Sequence, residues 1–308
     1  MMAHTPIPFD VLGLGYASDD FLAITAEITP FDHDPGTLSA FMRDGGGPVS
    51  TALAALARLG AHVAYLGPLG DDPSGQYLLQ RYEDAGIDTR HIEIQPGRRT
   101  PACIVLVEEE TGQRSINTYR GDLQSIQITD AMCDDLRSTR FLHIDGHFIE
   151  AVEPAAKMVH EAGGQVVFDA NRPRRHIERH LACTDILIAA SSFPKAATGI
   201  SDLSEASRRL MEAGPSTVVT TLGADGCFCV TAEEEFHVPG FPVEVVDTTG
   251  AGDAFHGGFL FGLLQDGWSL RQVARLANAV GALNCRRLGG RQALPTRDEV
   301  QRLMKQYP

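Results

Sequence analysis

Hydrophobic positions along the second half of the chain alternate between two periods. Short apolar runs with the length of buried strands are each followed by a stretch whose apolar residues recur at helical spacing. Such alternation of strand and helix favours a parallel sheet that is covered by helices on both faces. From residue 140 onward, the predicted strands are Phe141–Ile144, Gln165–Asp169, Asp185–Ala189 and Thr217–Leu222, and the predicted helices begin at Pro154 and Leu203.

The first half of the chain begins with a buried strand predicted at Val11–Gly15 and a further strand at Phe21–Ile28. Residues 30–44, which are rich in Pro, Asp and Gly, are predicted to form a loop. A helix is predicted to begin at Asp72-Pro73 and to end at Gly86, because Asp is a favoured N-cap, Pro suits the first helical position and Gly suits the position after the last turn.

A hairpin is predicted outside this alternation. Thr100–Glu108 and Gln113–Tyr119 alternate in polarity around Glu109-Glu110-Thr111-Gly112, which is a strong turn signal. Together with the strand at Phe21–Ile28, the hairpin indicates a small sheet beside the main sheet. We therefore expect a single domain over residues 1–308 whose small sheet comes from two excursions, at about residues 16–44 and 98–122.

Composition and charge narrow the functional classes. The chain has 308 residues, of which 43% are hydrophobic and 21% charged, as is typical of a globular enzyme. Its 40 acidic and 26 basic residues give a formal net charge of -14, which disfavours nucleic acid or an anionic membrane as the main partner. The six cysteines include no Cys-x-x-Cys pair, and neither a signal peptide nor a run of transmembrane length is visible, so we expect reduced thiols and a cytoplasmic location.

The stretch Asp247-Thr248-Thr249-Gly250-Ala251-Gly252-Asp253 carries the strongest chemical signal. It follows a β-rich run, Phe241–Val246, and leads into apolar residues at helical spacing from Phe255, so we expect a strand, a glycine-rich turn and a helix N-terminus to meet here. The amides of a first helical turn lack intrahelical acceptors, and the helix dipole adds partial positive charge, so this turn suits an anion. Asp253 would stand beside that anion, where a carboxylate can take a proton from a hydroxyl that attacks a phosphoryl group.

The longer string Asp-Thr-Thr-Gly-Ala-Gly-Asp-Ala-Phe-x-Gly-Gly-Phe, beginning at Asp247, closely resembles the C-terminal signature of the PfkB, or ribokinase-like, carbohydrate kinases. The resemblance runs from about Asp10 to about Pro295. It implies a three-layer α/β/α fold with a mainly parallel central sheet and a small β-sheet lid, and it implies transfer of the γ-phosphoryl group of ATP to a sugar hydroxyl with Mg²⁺ present. By this resemblance Asp253 is the catalytic base. The amides implied to stabilise the transferring group are those of Gly250, Ala251 and Gly252.

The resemblance also implies where the sugar binds. An Asp at the end of the family's first strand binds sugar hydroxyls, and Asp20 matches it; the glycine signature whose loop contacts the sugar matches Gly45-Gly46-Gly47. Arg172 follows a predicted strand and offers a forked donor to phosphate oxygens. Arg120 is predicted to be either an exposed arginine or a contact to an anionic group on the substrate. The residues expected to bind the sugar are Asp20, Gly45, Gly46, Gly47, Ser50, which replaces the Asn of many members, Asn117 and Arg172.

The nucleotide site is implied by a second set of motifs. Thr221-x-Gly223-x-x-Gly226 resembles the nucleotide-binding turn of the family, and Asn278 matches a position close to the adenine. Some relatives bind K⁺ through the positions of Asp247 and Thr249, so a monovalent-cation site is expected there. The Asn-x-x-Glu element that helps to organise Mg²⁺ in the family is absent from Ala190-Ser191-Ser192-Phe193-Pro194, which leaves open how the ion is held.

Several alternatives stay open at this point. The motifs look most like the ketohexose and sulfofructose kinase branch, yet no Lys or Arg pair is evident in the lid for a sulfonate, so a ketohexose, a related sugar acid, ribose and a nucleoside all remain as substrates. A nucleotide-binding regulator without turnover, an oxidoreductase that uses the Gly13 region, and a metal site at His143, Asp145 and His147 are less favoured. No Gly-x-x-x-x-Gly-Lys-Ser/Thr loop occurs, which disfavours a P-loop kinase. The resemblance to the family implies a homodimer that forms through the lid.

Overall fold

A computed structural model of the chain describes residues 8–28, 36–110 and 114–308, and the strands among these residues form two sheets. The strands are β1 (Val11–Leu14), β2 (Ser18–Thr25), β3 (Leu38–Gly46), β4 (Val63–Gly70), β5 (Ile92–Gln95), β6 (Ala102–Glu108), β7 (Arg114–Tyr119), β8 (Phe141–Ile144), β9 (Gln165–Ala170), β10 (Ile186–Ala190), β11 (Thr217–Thr221), β12 (Cys227–Val230) and β13 (Glu235–Val238).

Helices connect most of these strands, and local sequence signals mark several of their ends. Asp72 caps one helix by accepting from the Gly75 amide at 2.8 Å, and Ser269 and Thr296 each begin a helix with a capping box. The helices are α1 (Pro48–Leu59), α2 (Pro73–Asp84), α3 (Asp130–Ser138), α4 (Ile149–Glu161), α5 (Ile177–Ala182), α6 (Phe193–Thr198), α7 (Leu203–Met211), α8 (Ala251–Leu263), α9 (Leu270–Asn284) and α10 (Arg297–Gln306).

The large sheet has nine strands in the order β13-β12-β11-β10-β9-β8-β1-β4-β5. Its strands are parallel from β11 to β5, while β12 and β13 add an antiparallel edge. One hydrophobic cluster joins the sheet to α1, α8 and α9, and a second joins its other face to α4 and α7. The predicted three-layer fold with a mainly parallel sheet is confirmed, and the carboxyl ends of its strands form the edge where ligands bind in such folds.

The small sheet has four strands in the order β3-β2-β6-β7. Register places Asp20 opposite Cys103, and Cys103 opposite Thr118, so these three side chains share one face, the inner face. Ile104 pairs with Asn117 on the outer face, which is turned away from Asp20. The antiparallel pairing of β6 with β7 confirms the predicted hairpin strands, while Thr111 and Gly112 of its turn lie outside the described residues.

Three local predictions are wrong. Residues 38–44, expected to be loop, belong to β3, because their alternating pattern is completed only by pairing with β2; residues 30–35 lie outside the description. Phe241–Val246 forms no strand: Pro242 lacks an amide donor, and the amide of Val246 bonds instead to the carbonyl of Cys285 at 2.8 Å. Pro154 lies inside α4 rather than at its start, since that helix begins at Ile149.

The N-terminal residues on which the signal-peptide prediction rests, 1–7, lie outside the description. Over the residues that are described, none of the helices combines the length and the apolar character that crossing a bilayer requires.

Candidate active site

The N-terminus of α8 lies at the carboxyl edge of the large sheet and has the backbone that the glycine motif predicts. Gly250 has φ 71°, and a Cβ there would lie 2.7 Å from Gly290, so both the backbone and the packing require glycine. A Cβ on Gly252 would meet nothing within 4 Å, which leaves open space in front of the turn. The Ala251 amide donates to the Thr248 carbonyl at 3.2 Å, whereas the amides of Gly252 and Asp253 have no acceptor in the described chain.

Asp253 stands at the third position of α8, half-buried beside these amides. Burial raises its pKa to about 6, and the negative charge of Asp20 adds to that rise, while Arg291 opposes it. Its carboxylate accepts no hydrogen bond from a described side chain. A carboxylate with this pKa is ionised at neutral pH yet basic enough to accept a proton.

Asp20 projects from the inner face of the small sheet onto the glycine loop. A Cβ on Gly46 would lie 1.9 Å from its Oδ2, so the carboxylate occupies the space that any side chain at 46 would need. Ser18 Oγ donates to Asp20 Oδ1 at 2.6 Å. Burial raises the pKa of Asp20 to about 6, and the hydrogen bond from Ser18 and the charge of Arg291 oppose this rise.

Arg291 holds the glycine loop from the opposite end of the chain. Its Nη2 donates to the Gly46 carbonyl at 3.2 Å and to the hydroxyl of Ser50, and its own amide donates to Asp44 Oδ2 at 3.1 Å. The other terminal nitrogen, Nη1, is buried without a partner among the described residues. A Cβ on Gly45 would lie 2.6 Å from this nitrogen, so Arg291 packs directly on the loop that the sequence assigns to the sugar.

Asp145 follows β8 and is hydrogen-bonded to the segment that follows β1. It accepts from the Tyr16 amide at 2.7 Å and from His147 Nδ1 at 2.8 Å. Burial would raise its pKa, but the charge and hydrogen bond of His147, together with the Tyr16 amide, hold it below the usual range. The Tyr16 ring stacks on His147 with a centroid distance of 4.7 Å, and its hydroxyl is buried without a partner in the described chain.

A buried cluster of His143, Asp169 and His256 lies beneath the first turn of α8. Their ligating atoms lie within 4.8 Å of one another, which among the described residues is the one group with the composition of a metal site. The ring of His143 donates from Nδ1 to the Val167 carbonyl at 3.1 Å. Burial lowers the pKa of both imidazoles, and burial together with the charge of Asp253 raises the pKa of Asp169.

A cavity of about 560 Å³ opens on the other side of the α8 N-terminus. The structure brings all four predicted nucleotide residues to its wall, although they come from two distant segments of the chain. Asn278 donates from its side-chain amide to the carbonyls of Val238 and Pro239, at 3.0 and 3.1 Å, and so also fixes the segment that forms the wall. The predicted residues that line the cavity are Thr221, Gly223, Gly226, Asn278, Ala251 and Gly252.

Asp247 is buried behind the glycine turn. Its Oδ1 accepts from the amide and hydroxyl of Thr249 at 2.8 and 2.7 Å, and its Oδ2 accepts from the Gly289 amide at 2.9 Å. The carboxylate therefore ties the motif to the loop that carries Arg291. In the described part of the chain it has neutral donors but no ion pair.

Two predicted sugar residues lie away from the cleft. Ser50 is fully buried, and its hydroxyl bonds Tyr82 Oη at 2.6 Å as well as Arg291. Asn117 is exposed on the outer face of the small sheet, opposite to Asp20. In the stretch expected to organise Mg²⁺, Ser191 and Ser192 are exposed and Phe193 is buried.

Arg172 lies in a separate cavity of about 540 Å³ beyond His147. We call this cavity the arginine pocket, because its wall includes the guanidinium-bearing residues Arg120, Arg172, Arg174 and Arg175.

Sequence reasoning did not assign Arg291, Tyr16 or Asp145 to the sugar site. No local signal around Arg291 shows that it folds back over a segment more than 200 residues earlier in the chain. Asp145 alternates with two histidines, a pattern that suggested a metal site only as a less favoured alternative, and in the structure it accepts hydrogen bonds from Tyr16 and His147.

Comparisons with known proteins agree with this geometry. Residues 9–297 match the family described as pfkB family carbohydrate kinase. The chain is 30% identical to the aminoimidazole riboside kinase of Salmonella typhimurium over 89% of this chain and 92% of the relative, and 29% identical to the probable fructokinase-4 of Arabidopsis thaliana over 96% of each. A putative ribokinase II from E. coli, solved in complex with ATP and Mg²⁺, superposes with a TM-score of 0.83 at 25% identity and covers 97% of this chain and 100% of its own.

Proposed function

The chain belongs to the PfkB family of carbohydrate kinases and is an ATP-dependent sugar kinase, and from that premise we propose that Asp253 is its catalytic base. The observation that carries the proposal is the pairing of an unbonded, half-buried carboxylate with the open amides of Gly252 and Asp253 at one helix N-terminus. Asp253 would accept the proton of the sugar hydroxyl as that oxygen attacks the γ-phosphoryl group.

The anion hole differs in one detail from the sequence expectation. Gly250, Ala251 and Gly252 were expected to supply its amides, but the Ala251 amide already donates to Thr248. We assign the hole to the amides of Gly250, Gly252 and Asp253, which have no acceptor in the described chain, together with the α8 dipole, and Gly250 also forms the turn. Preorganised amides of this kind stabilise the charge that develops on the transferring group.

ATP would occupy the cavity lined by Thr221, Gly223, Gly226 and Asn278, whose wall reaches the glycine turn at Gly252. The sugar would lie on the opposite side of that turn, between Asp20 and Gly45–Gly47. Arg291 would hold these glycines in place, with its unpaired Nη1 facing the same loop. This arrangement places the sugar hydroxyl and the phosphoryl group on either side of the α8 N-terminus, where Asp253 lies between them.

Mg²⁺ is proposed as a cofactor by analogy with the ATP- and Mg²⁺-bound relative. The protein ligands expected for it do not fit, because Ser191 and Ser192 offer only exposed hydroxyls where a carboxylate and an amide were sought. Mg²⁺ is commonly held by substrate phosphates and water with few protein ligands, so we assign it to the nucleotide and derive no step from a protein site.

A monovalent cation such as K⁺ is proposed beside Asp247 and Thr249. The residues fit the ion, since Asp247 is 1% exposed and carries a charge that only neutral donors meet in the described chain. The ion would offset this buried charge and steady the turn that positions the anion hole.

The acceptor class proposed first is a ketohexose, with ribose or a nucleoside as the alternative, because the chain resembles both fructokinases and an aminoimidazole riboside kinase. We also propose that the small sheet, from about residues 16–44 and 98–122, is a lid over the sugar within a single domain. Its inner face carries Asp20, and Arg114 of β7 reaches across to the hydroxyl of Thr248 beside the glycine turn.

The outer face of the small sheet is proposed as the contact of a homodimer. Phe41, Ile104 and Tyr119 are 64%, 56% and 57% exposed there, and Phe21 stacks beside Phe41. Large apolar side chains grouped on one exposed face are typical of interaction surfaces. The six cysteines are free thiols, which fits the proposed cytoplasmic location.

The test is ADP release with Mg²⁺ and ATP over a panel of ketohexoses, sugar acids, pentoses and nucleosides. One strong acceptor, abolished by Asp253→Asn while ATP still binds, supports the proposal. Unchanged turnover in that variant would exclude Asp253 as the base, and ATP binding without turnover of any acceptor would favour a regulator.

A further inference from the structure

We propose that the sugar substrate carries an anionic group at the end remote from the phosphorylated hydroxyl, and that the arginine pocket binds it. This inference rests on the proposed function, because it concerns the same substrate. The anion's chemistry is that of a carboxylate, a sulfonate or a phosphate monoester, which are the groups that guanidinium forks recognise.

The pocket gathers positive charge in a chain whose formal net charge is -14. Arg120 comes from the end of β7, and Arg172, Arg174 and Arg175 come from the loop after β9. Among the described residues, Glu150 is the one carboxylate on its wall, and its Oε1 lies 3.9 Å from Nη1 of Arg179. Two segments that are distant in sequence therefore bring four arginines to one cavity, whose described wall carries one carboxylate.

None of these four guanidinium groups forms an ion pair or a hydrogen bond with another described residue. By contrast, Arg43, Arg90 and Arg179, elsewhere in the chain, each donate two hydrogen bonds to one carboxylate. Burial lowers the pKa of Arg174, and the like charges of Arg172 and Arg120 lower it further, although Asp145 opposes them. Arg120, Arg172 and Arg175 are exposed and screened by water, whereas Arg174 is partly buried, so an anionic ligand would offset the like charges mainly at Arg174.

The backbone around the pocket is also strained. Phe148 and His176, with φ 53° and 64°, are the two residues other than glycine that adopt a positive φ in the described ranges. Both lie on the wall of this pocket. Left-handed backbone at such residues is costly, and it is concentrated at sites where the fold must place ligand contacts.

The arginine pocket adjoins the proposed sugar cleft, and Tyr16 lies where the two meet. A Cβ on Gly47 would lie 2.3 Å from the Tyr16 carbonyl, and the Tyr16 ring stacks on His147 of the pocket wall at a centroid distance of 4.7 Å. The Tyr16 hydroxyl is buried without a partner among the described residues. Gly146 leaves room for Arg174, since a Cβ there would lie 3.4 Å from the arginine Cδ. A sugar on Gly45–Gly47 would therefore lie next to Tyr16, whose ring contacts the wall that carries Arg174.

ATP is not the anion that this pocket is built for. Among the residues that the structure describes, the walls of the nucleotide cavity and of the arginine pocket have no residue in common. The nucleotide cavity reaches the glycine turn at Gly252, whereas the arginine pocket adjoins Tyr16 through His147.

The experiment compares matched acceptors. ADP release is measured with fructose, fructuronate, 6-deoxy-6-sulfofructose and fructose 6-phosphate, and with ribose against ribose 5-phosphate. We expect one anionic acceptor to exceed its neutral counterpart in kcat/KM by about 100-fold, since charge-assisted hydrogen bonds are the strong ones. The three anionic arms distinguish carboxylate, sulfonate and phosphate.

The same assay is run on Arg172→Gln and Arg174→Gln, with Arg58→Gln as the control, because Arg58 is exposed on α1 and far from the pocket. Each pocket variant is expected to raise KM for the anionic acceptor by roughly 10- to 100-fold while kcat changes little, since the lost contact is made equally in ground and transition states. The control is expected to match the unmodified protein.

Failure of this inference can be told apart from failure of the proposed function. A neutral sugar that is phosphorylated as well as or better than every anionic one, with no change in the pocket variants, would overturn the inference and leave the kinase assignment intact. If nothing turns over, calorimetry of the anionic sugars on Asp253→Asn protein decides instead. Binding that Arg174→Gln weakens supports the inference, and no binding, or binding that this variant leaves unchanged, refutes it.

Discussion

Replacing Asp253 by Asn should abolish turnover and stabilise the fold at the same time. The pKa of Asp253 is raised from 3.8 to about 6, so holding this carboxylate ionised in the native state costs free energy at neutral pH. Two pKa units correspond to about 3 kcal/mol at 1.36 kcal/mol each, and partial solvent exposure reduces the expected gain to about 1–3 kcal/mol. For a chain of 308 residues this gain raises the melting temperature by about 2–5 °C.

The gain has a characteristic pH dependence. Because the native-state pKa is raised, the native protein takes up this proton more readily than the unfolded chain, and the cost appears only as pH rises from about 4 to about 6. Asp253→Asn should therefore melt at the same temperature as the unmodified protein near pH 4 and at a higher temperature at pH 7.5. Asp266→Asn, at an exposed aspartate elsewhere, is the control and should melt like the unmodified protein at both values.

Activity should move in the opposite direction. Loss of a general base lowers kcat by about 10²- to 10⁴-fold, or about 3–5 kcal/mol of transition-state stabilisation. Scanning fluorimetry at the two pH values, ADP release and calorimetry of ATP give all three quantities. A variant that melts identically at both values and retains turnover would refute the reasoning, since its carboxylate would then be neither desolvated nor catalytic.

Three further predictions follow from the same site. The kcat/KM of the unmodified enzyme should rise with pH through an apparent pKa near 6, because Asp253 acts in its ionised form; an acidic limb near pH 4 would contradict the buried environment. Gly252→Ala should fold normally but turn over roughly 10²-fold more slowly, because its methyl group enters the open space in front of the anion hole. Gly250→Ala should also lower the melting temperature, because its methyl group meets Gly290. Thermal melts followed by circular dichroism and ADP release distinguish the two variants, and equal melting temperatures would contradict the packing argument. Arg291→Met should raise KM for the sugar about 10-fold or more and leave ATP affinity unchanged, since Arg291 contacts the glycine segment proposed to bind the sugar. A selective loss of ATP binding would assign Arg291 to the nucleotide site instead and contradict this prediction.

The sequence was sufficient for the parts of the fold and site that depend on local signals. The alternation after residue 140 gave the parallel sheet, and the glycine motif placed Asp253 at a helix N-terminus, because helix ends and tight turns depend on residues adjacent in the chain. Asp72 as a cap and Gly86 after the helix were correct for the same reason.

Features that depend on tertiary pairing were not predictable in this way. Which face of β7 Asn117 occupies depends on its register with β6, and a shift of one residue would have turned it toward the cleft. Residues 38–44 look like a loop until they pair with β2. Proline favours the first turn of a helix, which predicts a helix start at Pro154, yet packing of α4 on the sheet outweighs one lost backbone hydrogen bond.

The arginine contacts show the same limit most clearly. Arg291 reaches Gly46 and Ser50 across more than 200 residues of sequence, and Arg120 meets Arg174 only because a hairpin end and a strand end converge. Arg172 was recognised by its place after a strand, but the pocket that it shares with other unpaired arginines appears only in three dimensions.

The central claim is phosphoryl transfer from ATP to a sugar hydroxyl with Asp253 as the base. The most direct measurement is ³¹P NMR of ATP, Mg²⁺ and the best acceptor with the unmodified enzyme and with Asp253→Asn. We predict a new phosphomonoester resonance that grows in step with ADP for the unmodified enzyme and stays absent, over the same time, for the variant. ADP formed together with inorganic phosphate but no sugar ester, or equal ester formation by both proteins, would contradict it.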